Sequence, residues 1–457
     1  MGLLKNVSGQ KPREIAVQVL QRRQPVAVPV DPHLAGEGKT AFTENLLESA
    51  LNRANLSPPD RGLCQELVYG VARWQGTLDW LIDRKTRPGP PKPPLRDILR
   101  LGLYQIFWLD RIPNHAAVHE TVELARHFRL TAQTGFVNAV LRGYLREADS
   151  TRKLLDDLKQ SQPHLGYSHP EWLVKRWFER WGPERTRLLL EWNNTPPSTC
   201  ARVNLLKIDA ANLLVQWRNE NVDYDFVRRD WLPENLVFEL KSHPPFAAWP
   251  SFQQGRFYVQ DPGTLLAVQM LDPKPGERIL DVCAAPGGKL TYIAQLVRNE
   301  ARVIAHDTSA DRLRLLQENC SRLGVTCVQM APVTQSVDVN LAQSFATLSP
   351  FDRILLDAPC SNTGVMRRRV DLRWRIRPDE IDRLSKLQLQ LLTQAATLLR
   401  PGGTLVYSTC SLEPEENERI VGGFLQTNPA FSLHSDRTLL PFVDSNDGAY
   451  VAKLIRH

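Results

Sequence analysis

From about residue 250 onward, short apolar runs alternate with stretches whose apolar residues recur at helical spacing. That alternation limits the fold more than any other feature of the chain. Arg278 to Val282, Ala301 to Ala305, Phe351 to Leu356 and Gly403 to Ser408 read as strands. Lys289 to Val297, Ala310 to Leu323 and Ile381 to Leu399 read as helices between them. Strands and helices in alternation predict an α/β fold with a parallel sheet and helices on both faces. In such sheets ligands bind beyond the carboxyl ends of the strands. The segments after Asp281, Ala305, Leu356 and Ser408 are therefore where chemistry is expected.

The earlier part of the chain has a different period. No strand signal precedes about residue 148, and helical spacing recurs throughout. Arg13 to Arg23 carries Ile15, Val17, Val19 and Leu20, and Ala41 to Asn55 carries Phe42, Leu46, Leu47 and Leu51. Asp60 can cap a helix bearing Cys64, Leu67, Val68 and Val71. Pro88 to Pro94 reads as a stiff linker. Leu95 to Leu109 is apolar on most faces, which predicts a buried central helix. Further helices are expected from Pro113-Asn114 and over Phe136 to Leu145. Beyond them, Trp172, Trp177 and Trp181 share a helix and suggest packing between domains, and Thr199 to Asn204 looks like a strand. Three domains are expected: all-α over 1–148, a small mixed α/β region over 149–245, and a nucleotide-binding type of fold over 246–457.

Composition narrows the class. Hydrophobic residues make up 42% and charged residues 23%, ordinary for a globular protein. The net charge of +7 suits a polyanionic partner without requiring one. The seven cysteines form no Cys-x-x-Cys pair and are odd in number. Neither a disulfide framework nor a zinc site is indicated, and a reducing cytoplasm fits best. The N-terminus lacks a signal-peptide core, Asn6 breaks the myristoylation pattern, and no apolar run reaches the length of a membrane span. His115 and His119 share a helix face, but no third ligand accompanies them, so no metal is expected.

The first strand leads into Asp281-Val282-Cys283-Ala284-Ala285-Pro286-Gly287-Gly288-Lys289. Small residues there let backbone approach a ligand, and the following helix offers free N–H groups. The spacing is neither that of a P-loop nor Gly-x-Gly-x-x-Gly. The second strand ends at His306-Asp307, where an acid can accept from ribose hydroxyls. Together these suggest an adenosine-containing cofactor without a pyrophosphate grip. Two further strand exits end in cysteines, Asp357-Ala358-Pro359-Cys360-Ser361 and Ser408-Thr409-Cys410-Ser411. A cysteine after a strand is commonly a small core residue. Two of them at irregular exits on one sheet edge point instead to covalent chemistry.

Residues 281–289, Asp357 to Cys360 and Thr409-Cys410-Ser411 resemble three motifs of the RNA cytosine-5 methyltransferases that use S-adenosylmethionine. Arg202-Val203-Asn204 and Gln260-Asp261-Pro262 match two further segments of that family. The N-terminal region is similar to the NusB-like RNA-binding domain over Phe42 to Arg53, Leu67 to Arg73 and Leu95 to Glu123. The resemblance implies a Rossmann-like class I methyltransferase domain and methylation of cytosine C5 in small-subunit ribosomal RNA. It implies Cys410 as the nucleophile, Cys360 as the group assisting release, Asp357 as the partner of the cytosine edge and Lys289 as a nearby cation. Cys283, Ala284, Ala285, Pro286, Gly287, Gly288, Lys289, Asp307, Arg312 and Asp357 would line the cofactor site.

The chain departs from the family pattern after the third strand, where Cys327 to Thr334 holds no acid for the adenine; Gln329 is the substitute expected. Pro262 follows Gln260-Asp261 where the family favours Ser, and Val370 stands where a proline is usual. Six arginines and Trp374 between Arg367 and Arg377, against Asp371 alone, suggest phosphate and base contacts. Transfer RNA as substrate, or a non-catalytic assembly factor, are the competing readings. The substrate could be naked RNA or an early small-subunit assembly particle, and a monomer is the default expectation.

Overall fold

The computed structural model describes residues 10–23, 42–86, 89–331, 341–345 and 347–457. Pro88 of the proline-rich linker, Ala41, and the tail of the segment after the third strand lie outside the described residues. The chain forms two compact units. One takes the described residues up to Thr195 together with Met366–Arg375; the other takes Pro196–Val365 and Ile376–His457 where described.

The first unit is helical. Its helices include Gln10–Arg22, Thr43–Arg53, Pro58–Arg73, Gln75–Lys85, Leu95–Trp108, Asn114–His127 and Thr134–Arg146. Leu95–Trp108 is the central one: Ile98, Leu99, Leu101 and Leu103 are fully buried, on more than one face of the helix. Each such side chain contributes about 1.5–3 kcal/mol by leaving water. Ser57, not Asp60, caps Pro58–Arg73; its side chain accepts from the Asp60 N–H, while Asp60 sits in the first turn. Pro58 and Pro59 cost nothing there, because a helix's first N–H groups have no intrahelical acceptor. The helix Glu171–Asn194 is interrupted at Gly182, whose φ of 76° breaks the ladder ahead of Pro183. Trp177 is buried in this unit beside His169 and Trp181.

The arginine-rich segment is a correction to the expected RNA-contacting surface. Met366–Arg375 belongs to the helical unit. Arg373 is fully buried and donates to the Ser168 carbonyl (3.1 Å), the Asn193 carbonyl (2.9 Å) and Asn194 Oδ1 (2.8 Å). Trp374 Nε1 donates to the Ala72 carbonyl at 2.8 Å, and Arg367 lies 4.0 Å over the Trp192 ring. Asp371 accepts from Thr43 N–H and hydroxyl at the start of Thr43–Arg53 and pairs with Arg375. Carbonyls left over at helix ends match the donors of a guanidinium, so a run that looks like a solvated basic face serves as internal clasp. Of the run's arginines, Arg377 is exposed.

The second unit holds two sheets. The smaller is antiparallel, with β1 (Thr199–Val203), β2 (Asp223–Phe226), β3 (Val237–Ser242) and β4 (Phe257–Val259) in the order β2-β3-β1-β4. Trp217, Phe238, Trp249 and Phe257 fill its core. The larger contains β5 (Arg278–Asp281), β6 (Arg302–Ala305), β7 (Val328–Met330), β8 (Phe351–Asp357), β9 (Leu399–Thr409), β10 (Phe431–Leu439) and β11 (Ala449–Arg456). Their order is β10-β11-β9-β8-β5-β6-β7. β5 to β9 are mutually parallel where they pair, as expected, but β11 is antiparallel to both β9 and β10. The sheet is therefore mixed rather than parallel.

Alternation along the strands sends side chains to both faces. Ile279, Val303, Leu355 and Val406 join one core cluster, and Leu280, Ile304, Leu356 and Tyr407 the other. This is the Rossmann-like arrangement, and it brings the exits of β5, β6, β8 and β9 to one edge.

Candidate active site

The loop after β5 is held by its neighbours rather than by its own side chains. Ala284 N–H donates to the His306 carbonyl (2.8 Å), and Ala285 N–H to Asp307 Oδ2 (3.3 Å). Arg312, in the helix Ala310–Leu323, donates to the Ala285 carbonyl and lies 3.5 Å from Asp307. Asn319 holds the Pro286 carbonyl at 3.0 Å. Gly287 has a φ of 105°, and a Cβ there would meet Leu316, so glycine is required where the loop turns into the helix Gly288–Leu296. Cys283 is partly buried against the core. From the small sheet, buried Arg202 donates to the Gly288 carbonyl (2.8 Å), Gln260 Oε1 (2.9 Å) and Thr291 Oγ1 (2.9 Å).

Asp281 closes β5 and is buried. Burial first, then Asp357 and Asp307, push its carboxyl up to about 8. Neither oxygen has a partner of good hydrogen-bond geometry among the described residues. The Lys289 ammonium and the Cys283 backbone N–H offset only part of that burial, so a further cation or donor would favour the charged form. The cationic methionine portion of S-adenosylmethionine meets that requirement, and the small residues of the loop beside it let a ligand approach the backbone closely. The residues present fit this cofactor.

Gln329 does not join the cluster. It is exposed, and its amide oxygen accepts from Arg302 at 3.2 Å, at the opposite, amino end of β6.

β8 and β9 run side by side, with Asp357 opposite Ser408. Ser408 Oγ donates to Asp357 Oδ1 at 2.8 Å, and Lys289 Nζ pairs with Asp357 Oδ2 at 2.5 Å. Burial works against the charge on Lys289, but Asp357, with Cys410 and Asp281, raises its pKa overall. It is an ammonium, paired with Asp357 beside Cys410. Three residues beyond Asp357 and two beyond Ser408 stand the thiols. Cys360 Sγ and Cys410 Sγ are 3.3 Å apart, and Cys410 Sγ is 3.0 Å from Asn362 Oδ1. The structure thus brings Lys289, Asp357, Cys360 and Cys410 together at one strand edge. Cys64, Cys200 and Cys320 are buried in the cores, and among the described residues no cluster of His, Cys, Asp and Glu could hold a metal.

Several residues here are invisible to sequence reasoning. Gly364 allows the two thiol loops to touch: a Cβ would lie 2.4 Å from the Gly448 carbonyl and 2.8 Å from that of Cys410. Asn417 bonds Thr409 Oγ1 and the Ser411 carbonyl. Glu416, within Glu413-Pro414-Glu415-Glu416, is fully buried. An acidic run ordinarily reads as a solvated surface, so the burial of Glu413 and Glu416 carries no local signal.

Comparison with known proteins follows the same division. Residues 268–455 match the family described as 16S rRNA methyltransferase RsmB/F. Residues 10–146 match the NusB family, and residues 169–241 match the ferredoxin-like domain of RsmF/B-like methyltransferases. The probable ribosomal RNA small subunit methyltransferase B of Bacillus subtilis (strain 168) is 37% identical over 396 residues, 86% of each chain. The ribosomal RNA small subunit methyltransferase B of Klebsiella pneumoniae (strain ATCC 700721 / MGH 78578) is 37% identical over 430 residues, 90% of this chain and 96% of its own. A solved methyltransferase homolog protein from Pyrococcus horikoshii has a TM-score of 0.56 and 33% identity, covering 67% of this chain and 99% of its own.

Proposed function

The chain belongs to the 16S rRNA methyltransferase RsmB/F family, and on that premise we propose that it methylates C5 of a cytosine in small-subunit ribosomal RNA through a covalent adduct at Cys410. As a member of that family it is an S-adenosylmethionine-dependent RNA methyltransferase. The observation that carries the finer reading is the pair of thiols 3.3 Å apart beside the Lys289–Asp357 ion pair.

Cytosine C5 is a weak nucleophile. Addition of the Cys410 thiolate at C6 breaks the C5=C6 double bond and places the electron pair on C5. S-adenosylmethionine, when bound, supplies the methyl group that C5 takes. Removal of the C5 proton then lets the C5–H pair re-form the double bond and expel the Cys410 sulfur as thiolate. Cys360, in van der Waals reach of Cys410, is assigned to that release. Asp357 meets the cytosine edge, accepting from N4 or holding N3 protonated, which drains charge from the ring as sulfur adds. Lys289 steadies Asp357 through their ion pair. Asp281, Asp307, Arg312, Cys283 and the 284–288 backbone would hold the cofactor.

Division of labour along the chain is part of the reading. Residues 1–148 bind RNA, 149–245 help position it, and 246–457 carry the chemistry. Replacing Cys410 by Ala should reduce methyl transfer to unmethylated small-subunit RNA by at least about 10⁴-fold while S-adenosylmethionine still binds. Appreciable turnover by that variant would refute the nucleophile assignment.

A further inference from the structure

Glu416 touches neither thiol, yet it touches the residue that follows each of them. Its Oε1 accepts from the Ser361 N–H (2.8 Å) and from Gln388 Nε2 (3.0 Å). Its Oε2 accepts from both the Ser361 and Ser411 hydroxyls. Those two hydroxyl oxygens are themselves 3.1 Å apart. Gln388 adds a second strut, since the same Nε2 donates to the Pro359 carbonyl at 2.7 Å. The Glu416 main-chain carbonyl accepts from Tyr407 OH on β9 at 2.6 Å, which fixes the turn that carries it. Glu416, Ser361, Ser411 and Gln388 are all fully buried.

Such a group is an expensive way to join two loops. Burial pushes the Glu416 carboxyl up to about 7 in spite of four donors. An apolar pair would fill the volume at lower cost if stability were all that was needed. A carboxylate does what an apolar pair cannot: it fixes direction and spacing at both loops at once.

We propose that Glu416 is a positioning residue for the thiol pair, clasping the residues after Cys360 and Cys410 so that the two sulfurs stay in register for release of the methylated base. This rests on the thiol roles assigned above. Release needs Cys360 placed toward the C5 proton while Cys410 is still bonded to C6, so loss of register should slow release more than attack. Displacement of a reacting group by about 1 Å costs on the order of 10²-fold.

The test uses the full-length enzyme, S-adenosylmethionine and unmethylated small-subunit ribosomal RNA, and follows formation and decay of the denaturant-resistant protein–RNA adduct in a single turnover. For Glu416→Ala, adduct decay should slow by about 10- to 100-fold, so that the adduct accumulates. Affinity for S-adenosylmethionine, measured by calorimetry, should stay within about twofold. Glu416→Gln should restore decay to within about threefold, because its amide can still accept from Ser361 N–H and bond the serine hydroxyls. If Glu416→Ala does not fold, the double variant Ser361→Ala with Ser411→Ala carries the same expectation. Unchanged adduct decay overturns the proposal, as does loss of cofactor affinity in step with activity without rescue by Gln. An adduct that persists in Cys410→Ala overturns the thiol assignment itself. Loss of the adduct there, with normal decay in Glu416→Ala, overturns the Glu416 role alone.

Discussion

Asp281 shows how a single residue can be read from physics when its neighbours are known. It ends a strand, it is buried, and its carboxyl is pushed up to about 8 with no well-aligned donor among the described residues. That shift favours the protonated carboxyl in the free protein at neutral pH. A cation brought beside it favours the ionised form, so cofactor binding should release that proton, and affinity should rise as pH climbs toward 8. Calorimetry at pH 7 in buffers of different ionisation enthalpy should detect the release, and Asp281→Asn should bind about 10-fold more weakly without it. Equal proton release by wild type and variant would contradict this. The glycine-rich exit that follows was legible from sequence, because Gly287 and the small residues before it announce close backbone approach. Glu416 was not, since nothing local separates it from Glu413 and Glu415. Only the approach of two loops 50 residues apart makes it an internal acceptor.

At the scale of elements, periodicity carried the reading where strands are buried on both faces. β5, β6, β8 and β9 are apolar runs ending in small or reactive residues, and all were found. β10 was missed because it is an edge strand with an exposed centre, His434-Ser435-Asp436. β11 lies between it and β9 and turns the sheet's far side antiparallel. The arginine run was misread for a related reason. Composition suggests solvent or phosphate, while partners far along the chain decide burial. Arg373→Ala should therefore act on stability: it leaves the carbonyls of Ser168 and Asn193 unpaired in a buried place, at a cost of about 3–5 kcal/mol. Urea denaturation should show that loss, with cofactor affinity kept. A variant of normal stability but weakened RNA binding would restore the phosphate-contact reading.

Across the whole molecule, the helical unit and the sheet-bearing unit divide binding from chemistry in the proposed account. The net charge of +7 is consistent with a polyanionic substrate, but buried arginines contribute nothing to that surface. Exposed cations on the helical unit should matter instead. Arg129, Arg142 and Arg146 are exposed; reversing all three to Glu should weaken RNA binding by about 10-fold or more and flatten its salt dependence. S-adenosylmethionine affinity should not change. An unaltered salt slope would argue against RNA binding by residues 1–148. The central claim, that Cys410 attacks and Cys360 releases, is tested most directly by trapping. Cys360→Ala incubated with cofactor and unmethylated small-subunit RNA should accumulate a denaturant-resistant adduct, and mass spectrometry of the digested complex should place the cytosine link on Cys410. Absence of an adduct, or a link at any other residue, would contradict the account.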